Sequence, residues 1–321
     1  MLQEAPSPLP SKAVDAYVPT RFASSRQIPI RTLSYHVLSW GQPGPAVPLV
    51  LLHGWMDIGA SYQFVVDALS AGFADSRLII APDWRGFGRS RMPGPCDRHD
   101  FADYLADLDQ LLDVVAGEQP VDLVGHSMGG NVAMMYAGAR PGRIRTLVNL
   151  EGFGLPATRP EQAPARYAQW MDEIRKLGSG EITLKSYDSL HAVAQRLMKT
   201  NRRLPQDKAL WLAERWAAPN AQGRWEIQGD AAHKVSSAQL YRLDETLALY
   251  RAITAPVLAV EASDDSMGQW WKGRYGLEQY HERLKQVHRC QVAVVQDAAH
   301  MLHHDQPAAV AALIEKFATS T

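Results

Sequence analysis

Residues 121–131, VDLVGHSMGGN, constrain the fold more than any other stretch of this chain. An apolar run ends in Gly125, His126, Ser127, Met128, Gly129, a GxSxG pattern that marks a nucleophile elbow when it lies between a strand and a helix. A serine on so tight a turn is held near φ > 0, and a side chain two residues before or after it would collide with the neighbouring backbone. Gly125 and Gly129 remove that collision. VDLVG reads as a buried strand, and 131–140 as a helix with Gly130, Ala133 and Ala137 on one face, stopped by Pro141 and Gly142. Ser127 is therefore the candidate nucleophile.

The surrounding sequence repeats that strand-to-helix rhythm. Residues 49–52 form a short apolar strand running into His53, Gly54, Trp55, Met56, Asp57, with a helical stretch at 62–69. Residues 78–81 form another buried strand, ending at Asp83 and the turn Arg85, Gly86, Phe87, Gly88. At 100–116, Phe101, Leu105, Leu108, Leu112 and Val115 keep helical spacing behind the capping residue Asp100. A strand at 146–150 follows the elbow helix. Strands that alternate with helices imply right-handed crossovers, so the expected class is α/β, a mostly parallel central sheet with helices on both faces. Two strands at 21–30 and 33–40 precede it as a hairpin, and residues 1–19 read as a proline-rich extended or disordered arm.

At Gly152 the rhythm breaks. Until Ala255 the sequence offers helical segments at 165–177, 189–199 and 207–217, four tryptophans (Trp170, Trp211, Trp216, Trp225) and no convincing buried strand. The alternation resumes with a strand at 257–260, a helix near 277–287, a strand at 291–295 and a closing helix at 308–317. The expected organisation is thus an arm at 1–19, one core built from 20–151 and 256–321, and an inserted α-helical cap at 152–255.

The net charge of −1 argues against nucleic acid or an acidic membrane surface as partner, since both need a concentrated basic face. Cys96 and Cys290 are too few and too far apart in sequence to read as a disulfide framework or a zinc site. His303, His304 and Asp305, adjacent in the sequence, read as solvent-facing loop residues, and no metal or other cofactor is expected. The first residues hold prolines and a glutamate where a secretory signal needs an apolar run, and no stretch approaches about 18 apolar residues. A cytoplasmic protein with a small-molecule substrate is the expectation; the oligomeric state is not legible.

LLHGWMD, APDWRGFGRS, VGHSMGGN, PVLAVEASDD and DAAHMLHHDQP, in that order, resemble the α/β-hydrolase family of serine hydrolases from about Arg21 onward. The resemblance implies Ser127 as nucleophile and His300 as its general base. Chemistry agrees, because a serine hydroxyl needs an imidazole to take its proton and later deliver it to the leaving group. The acid that orients the imidazole has two candidates: Asp265, in the family's usual acid loop, and Glu151, at the end of the strand after the elbow helix. Asp265 is the first choice, although Ser266, Met267 and Gly268 replace that loop's usual proline. The resemblance also implies an oxyanion hole from the main-chain N–H groups of Trp55 and Met128. His53, Gly54 and His126 are then turn formers, Asp57 a brace, and Asp83, Arg85, Gly86 and Gly88 a structural turn. Phe153, Trp270 and Trp271 are candidate walls of an apolar pocket.

The expected activity is that of a cofactor-independent serine hydrolase, which cleaves a carboxylic ester or lactone with a hydrophobic part through an acyl-enzyme. Carbon–carbon bond hydrolases, thioesterases and perhydrolases retain the serine and are the alternatives. Dehalogenases and epoxide hydrolases of the resembled fold carry an aspartate where Ser127 stands. From another class, the rival is a non-catalytic ligand-binding receptor of the same fold.

Overall fold

The structure, a computed structural model, describes residues 16–320; most of the proline-rich arm lies outside the described residues. The strands are β1 (Ser24–Ile30), β2 (Leu33–Trp40), β3 (Leu49–Leu52), β4 (Ile79–Pro82), β5 (Val121–His126), β6 (Ile144–Leu150), β7 (Ser186–Tyr187), β8 (Ala217–Pro219), β9 (Trp225–Ile227), β10 (Val257–Ala262) and β11 (Cys290–Val295). Eight of them form one sheet in the order β1-β2-β4-β3-β5-β6-β10-β11. β2 runs antiparallel to both neighbours, and every pair from β4 to β11 is parallel. The α/β class with a mostly parallel sheet is thus observed.

β3, β4 and β5 are buried along their whole length, as strands between two helical layers must be. On one face Leu108 and Leu112 of the helix Phe101–Ala116 pack with Val132 and Tyr136 of the elbow helix Met128–Ala139. On the other, Val65 and Phe73 meet Val310, Ile314 and Phe317 of the helix Pro307–Thr319. Truncating any one of the fully buried leucines to alanine should cost about 2–5 kcal/mol. The topology also fixes where a site can form. From β3 the chain moves to one side to make β4 and then to the other to make β5. At such a switch the loops diverge, and a crevice opens beyond the carboxyl ends of β3 and β5.

Between β6 and β10 lie the helices Ala163–Gly178, Leu190–Thr200, Gln206–Trp216 and Leu243–Ala252. A small antiparallel sheet, β7-β9-β8, lies among them, where the sequence pattern predicts helices alone. Strands of two or three residues are too short for a period-2 pattern to register. The insert has its own core of Val193, Ala209, Leu212 and Ala213, which closes on Ile58 and Phe64 of the main core.

The described end of the arm departs from a free tail. Tyr17 lies edge-on to Phe64 at 5.0 Å and to Trp211 at 5.4 Å, one ring from the core and one from the insert. Its hydroxyl donates to Asp67, which also accepts from the backbone N–H groups of Thr20 (3.1 Å) and Arg21 (2.8 Å). One aromatic ring and one carboxylate suffice to peg an otherwise irregular segment.

Candidate active site

Ser127 follows β5 with φ 52 and ψ −116, in the sparsely populated region that a nucleophile elbow requires. The close approach behind it explains both glycines. A Cβ on Gly125 would lie 2.3 Å from the Gly129 carbonyl oxygen, and one on Gly129 would lie 2.3 Å from that of Leu52. The serine N–H donates to the Leu150 carbonyl (2.8 Å), which ties the elbow to the end of β6. Met56 (φ 54) and Glu151 (φ 57) are also left-handed. The loops leaving β3, β5 and β6 therefore each carry one strained residue at the same end of the sheet. Strain of this kind costs on the order of 1–3 kcal/mol per residue and persists where the surroundings over-determine it.

His300 lies in the loop after β11, and its Nδ1 is 3.2 Å from Glu151 Oε2. The other oxygen, Oε1, accepts from the Ala262 N–H at 2.7 Å, so the carboxylate is held at both ends. Asp265, the first choice from sequence, is placed differently. Its Oδ1 accepts from the Gly268 N–H (2.8 Å) as the N-cap of the helix Ser266–Trp271, and it has no hydrogen bond to His300. The correction has a physical cause: a capping aspartate satisfies helix donors that would otherwise be orphaned, whereas Glu151 emerges from a buried strand beside the imidazole.

Burial pushes the Glu151 carboxyl up to about 7, offset in part by hydrogen bonds from the Ala262 N–H and the Ser266 hydroxyl. Burial likewise pushes the His300 imidazole below its ordinary range, so it is neutral and able to accept a proton at neutral pH. Neither His300 Nε2 nor Ser127 Oγ has a hydrogen-bond partner among the described residues. His126 holds the base's loop in place: its Nε2–H donates to the His300 carbonyl at 2.7 Å, and the two rings lie 4.7 Å apart. Expected as a turn former, His126 is also a strut.

The N–H groups of Trp55 and Met128 likewise lack hydrogen-bond partners among the described residues. The loop that carries Trp55 lies against the elbow, since a Cβ on Gly54 would come within 2.9 Å of His126 Nδ1 and 3.2 Å of Ser127 Cβ. His53 holds that loop from beneath, with Nδ1–H donating to the Gly54 carbonyl (2.8 Å) and Nε2 accepting from the Trp84 N–H (2.8 Å).

The candidate pocket residues separate into two groups. Trp270 lies edge-on to the His300 ring at 4.1 Å and remains partly exposed, as does Trp55. Phe153 instead packs in the core, edge-on to Tyr280 at 5.0 Å, and Trp271 packs against the same core cluster. Those two contribute apolar packing to the core, fully for Phe153 and in part for Trp271. His303 and His304 are corrected as well. The helix Leu302–Asp305 turns both inward, where His304 Nε2 meets Ser61 Oγ (3.0 Å), itself a donor to Asp57 (2.5 Å). No signal in DAAHMLHHDQP distinguishes these inward histidines from solvated ones.

Residues 47–307 match the family described as alpha/beta hydrolase fold. A serine hydrolase-like protein of Danio rerio is 24% identical over 301 residues, covering 92% of this chain and 89% of the relative. The 2-hydroxymuconate semialdehyde hydrolase of Pseudomonas sp. (strain CF600) is 34% identical over 141 residues, 42% of this chain and 47% of the relative. Among solved structures, the thioesterase domain from the curacin biosynthetic pathway superposes with a TM-score of 0.75 at 24% identity, covering 92% of this chain and 99% of that one. No helix among the described residues is long and apolar enough to cross a membrane.

Proposed function

This chain belongs to the alpha/beta hydrolase fold family, and we propose that it is a serine hydrolase cleaving a carboxylic ester or lactone with a hydrophobic part. Ser127 Oγ attacks the carbonyl carbon while His300 Nε2 takes its proton, and the Trp55 and Met128 N–H groups receive the oxyanion. Glu151 holds the imidazole by Nδ1–H and stabilises the imidazolium. Collapse of the tetrahedral intermediate expels the alkoxide, which takes the proton from His300 and leaves an acyl group on Ser127. Water, deprotonated by His300, then releases the acid and restores the serine. The insert at 152–255 serves as a cap, and Trp270 and Trp55 line the entrance for the apolar part of the substrate.

The observation that carries the reading is the 3.2 Å contact of Glu151 with His300, beside a serine strained at φ 52 at the same end of the sheet. A pure binder needs no such pair. The Pseudomonas relative keeps carbon–carbon bond hydrolysis open as a second reading, because its matched segment belongs to an enzyme named for a semialdehyde substrate. Serine at position 127, in place of the aspartate of epoxide hydrolases, argues against an alkyl-enzyme route.

A fluorophosphonate probe tests the proposal directly. The wild-type protein is expected to label at Ser127 and to turn over at least one member of a panel of p-nitrophenyl esters, lactones, thioesters and dienoic ketones. Ser127→Ala should abolish both and leave the melting temperature nearly unchanged. An unlabelled wild type inert toward the whole panel would overturn the reading.

A further inference from the structure

The core and the insert meet again at a cluster of side chains that the proposed reaction does not use. Cys96 and His99 lie in the loop between β4 and the helix Phe101–Ala116, and Asp230 comes from the insert, next to the short helix Ala231–Lys234. One donor atom from each of the three lies within 4.8 Å of the others. His99 Nε2 is 3.1 Å from Asp230 Oδ2. Ligands bound at about 2.0–2.3 Å around a tetrahedral zinc stand only slightly farther apart than that.

An ordinary ion pair between His99 and Asp230 accounts for only part of this arrangement. The His99 side chain is 1% exposed, and its Nδ1 has no partner. The ring of His233 stacks on that of His99 at 3.8 Å, and its Nδ1 meets the Tyr104 hydroxyl at 3.2 Å. Both imidazoles border the space above Gly86, where a Cβ would lie 2.7 Å from His233 Nε2 and 2.8 Å from His99 Nε2. A buried imidazole nitrogen without a partner is costly, so His99 calls for one. Thiol, imidazole and carboxylate together form a mixed soft and borderline donor set, which suits zinc and disfavours magnesium or calcium.

We propose that Cys96, His99 and Asp230 form a binding site for a zinc-class divalent transition metal, with the His233 ring stacked against the His99 ligand. The ion would staple the insert to the core. Asp230 already donates its backbone N–H to the Gly86 carbonyl (2.8 Å), and the His233 carbonyl accepts from the Trp55 indole (3.3 Å). A metal here therefore clamps the segment that leans on the Trp55 loop. The Cys96 thiol now donates to the Arg98 carbonyl; on binding it would lose its proton to water and become the thiolate ligand, so affinity should fall as pH is lowered. Cys96 is partly exposed, which leaves the ion a way in. The expectation of no metal rests on sequence separation, which the fold closes. The Cys-x-x-His spacing at 96–99 is the portion of the signal present in the sequence.

Cobalt(II) titrated into the metal-free full-length protein reads the site without any assay of turnover. One equivalent should bind with a thiolate-to-cobalt charge-transfer band that zinc displaces. Cys290→Ser should keep the band, Cys96→Ser should lose it, and His99→Gln should bind at least tenfold more weakly. Zinc should raise the melting temperature of the wild type and not that of Cys96→Ser, while fluorophosphonate labelling of that variant confirms its fold. A wild type without the band would overturn the proposal. So would a band that survives Cys96→Ser, which would assign the thiolate to Cys290, or a thermal shift that survives it, which would put the ion elsewhere, for example at the buried Asp57, His303, His304 cluster.

Discussion

The two ends of β5 carry opposite kinds of polar residue. At the amino end, Asp122 is buried with a full set of partners: Arg77 Nη1 at 3.1 Å, Thr146 Oγ1 at 2.7 Å, and Arg145. Arg145 reaches on to the Ala318 carbonyl (2.9 Å), so the network binds β5, β6 and the last helix together. At the carboxyl end, Ser127 is strained, and its hydroxyl and the N–H groups of Trp55 and Met128 have no hydrogen-bond partner among the described residues. A parallel sheet has this polarity built in, since its crossovers bring helix N-termini and divergent loops to the carboxyl ends. One end of the strand is given over to cohesion. The other holds polar groups in reserve, at a cost in stability that the rest of the core offsets.

Glu151→Gln is the change that should separate the two ends most sharply. On the proposed mechanism it removes the charge that orients and stabilises the His300 imidazolium, and losses of about 10⁴ in kcat are typical of such a change. Stability should move the other way. Burial raises the carboxyl from 4.5 to about 7, so the native state holds this proton more tightly than the unfolded chain does. That contribution is fully present below about pH 4.5 and is lost as pH rises through 7. Denaturant titrations at pH 4.5 and 8 should therefore show the variant gaining on the wild type at the higher pH, by up to about 3 kcal/mol. A variant that instead loses ground as pH rises would mean that pairing with His300, and not desolvation, governs Glu151.

The difference between the ends also explains what is legible in the sequence. The elbow is, because its constraint closes within five residues: a strained serine forces glycine two positions to either side. The place of His300 is, because the motif resemblance and the strand predicted before it both set it in the loop after β11. The acid is not, because Glu151 and Asp265 both follow buried strands. Only the left-handed turn at Glu151 and the helix cap at Asp265 decide which carboxylate faces the imidazole. A glycine three residues after Asp265 is the available hint, since it lets the side chain bond back to that N–H. The burial of His303 and His304 and the meeting of Cys96 with Asp230 depend on contacts far apart in the chain, which no local pattern encodes.

Asp122→Ala tests the opposite end. It would leave Arg77, only 6% exposed, without its counter-ion, and breaking a buried pair from one side costs about 3–5 kcal/mol. Thermal or urea unfolding should register that loss. The folded fraction should still label at Ser127 at the wild-type rate, because the network lies across the full length of β5 from the elbow. A labelling rate that fell in proportion to stability would show that the two ends are mechanically coupled and that no such division of labour exists.

The smallest effect should come from Asp265→Asn. The substitution keeps an oxygen able to accept the Gly268 N–H, so the cap survives and the cost in stability is expected to be a few tenths of a kcal/mol. It also removes a negative charge that acts on Glu151 and raises its pKa. If Glu151 is the carboxylate that His300 uses, kcat should stay within a few-fold of wild type, and the acidic limb of the kcat/KM profile should move to slightly lower pH as Glu151 ionises more readily. A loss for Asp265→Asn comparable to that for Glu151→Gln would instead return the acid to the loop after β10, and would require that loop to rearrange before catalysis.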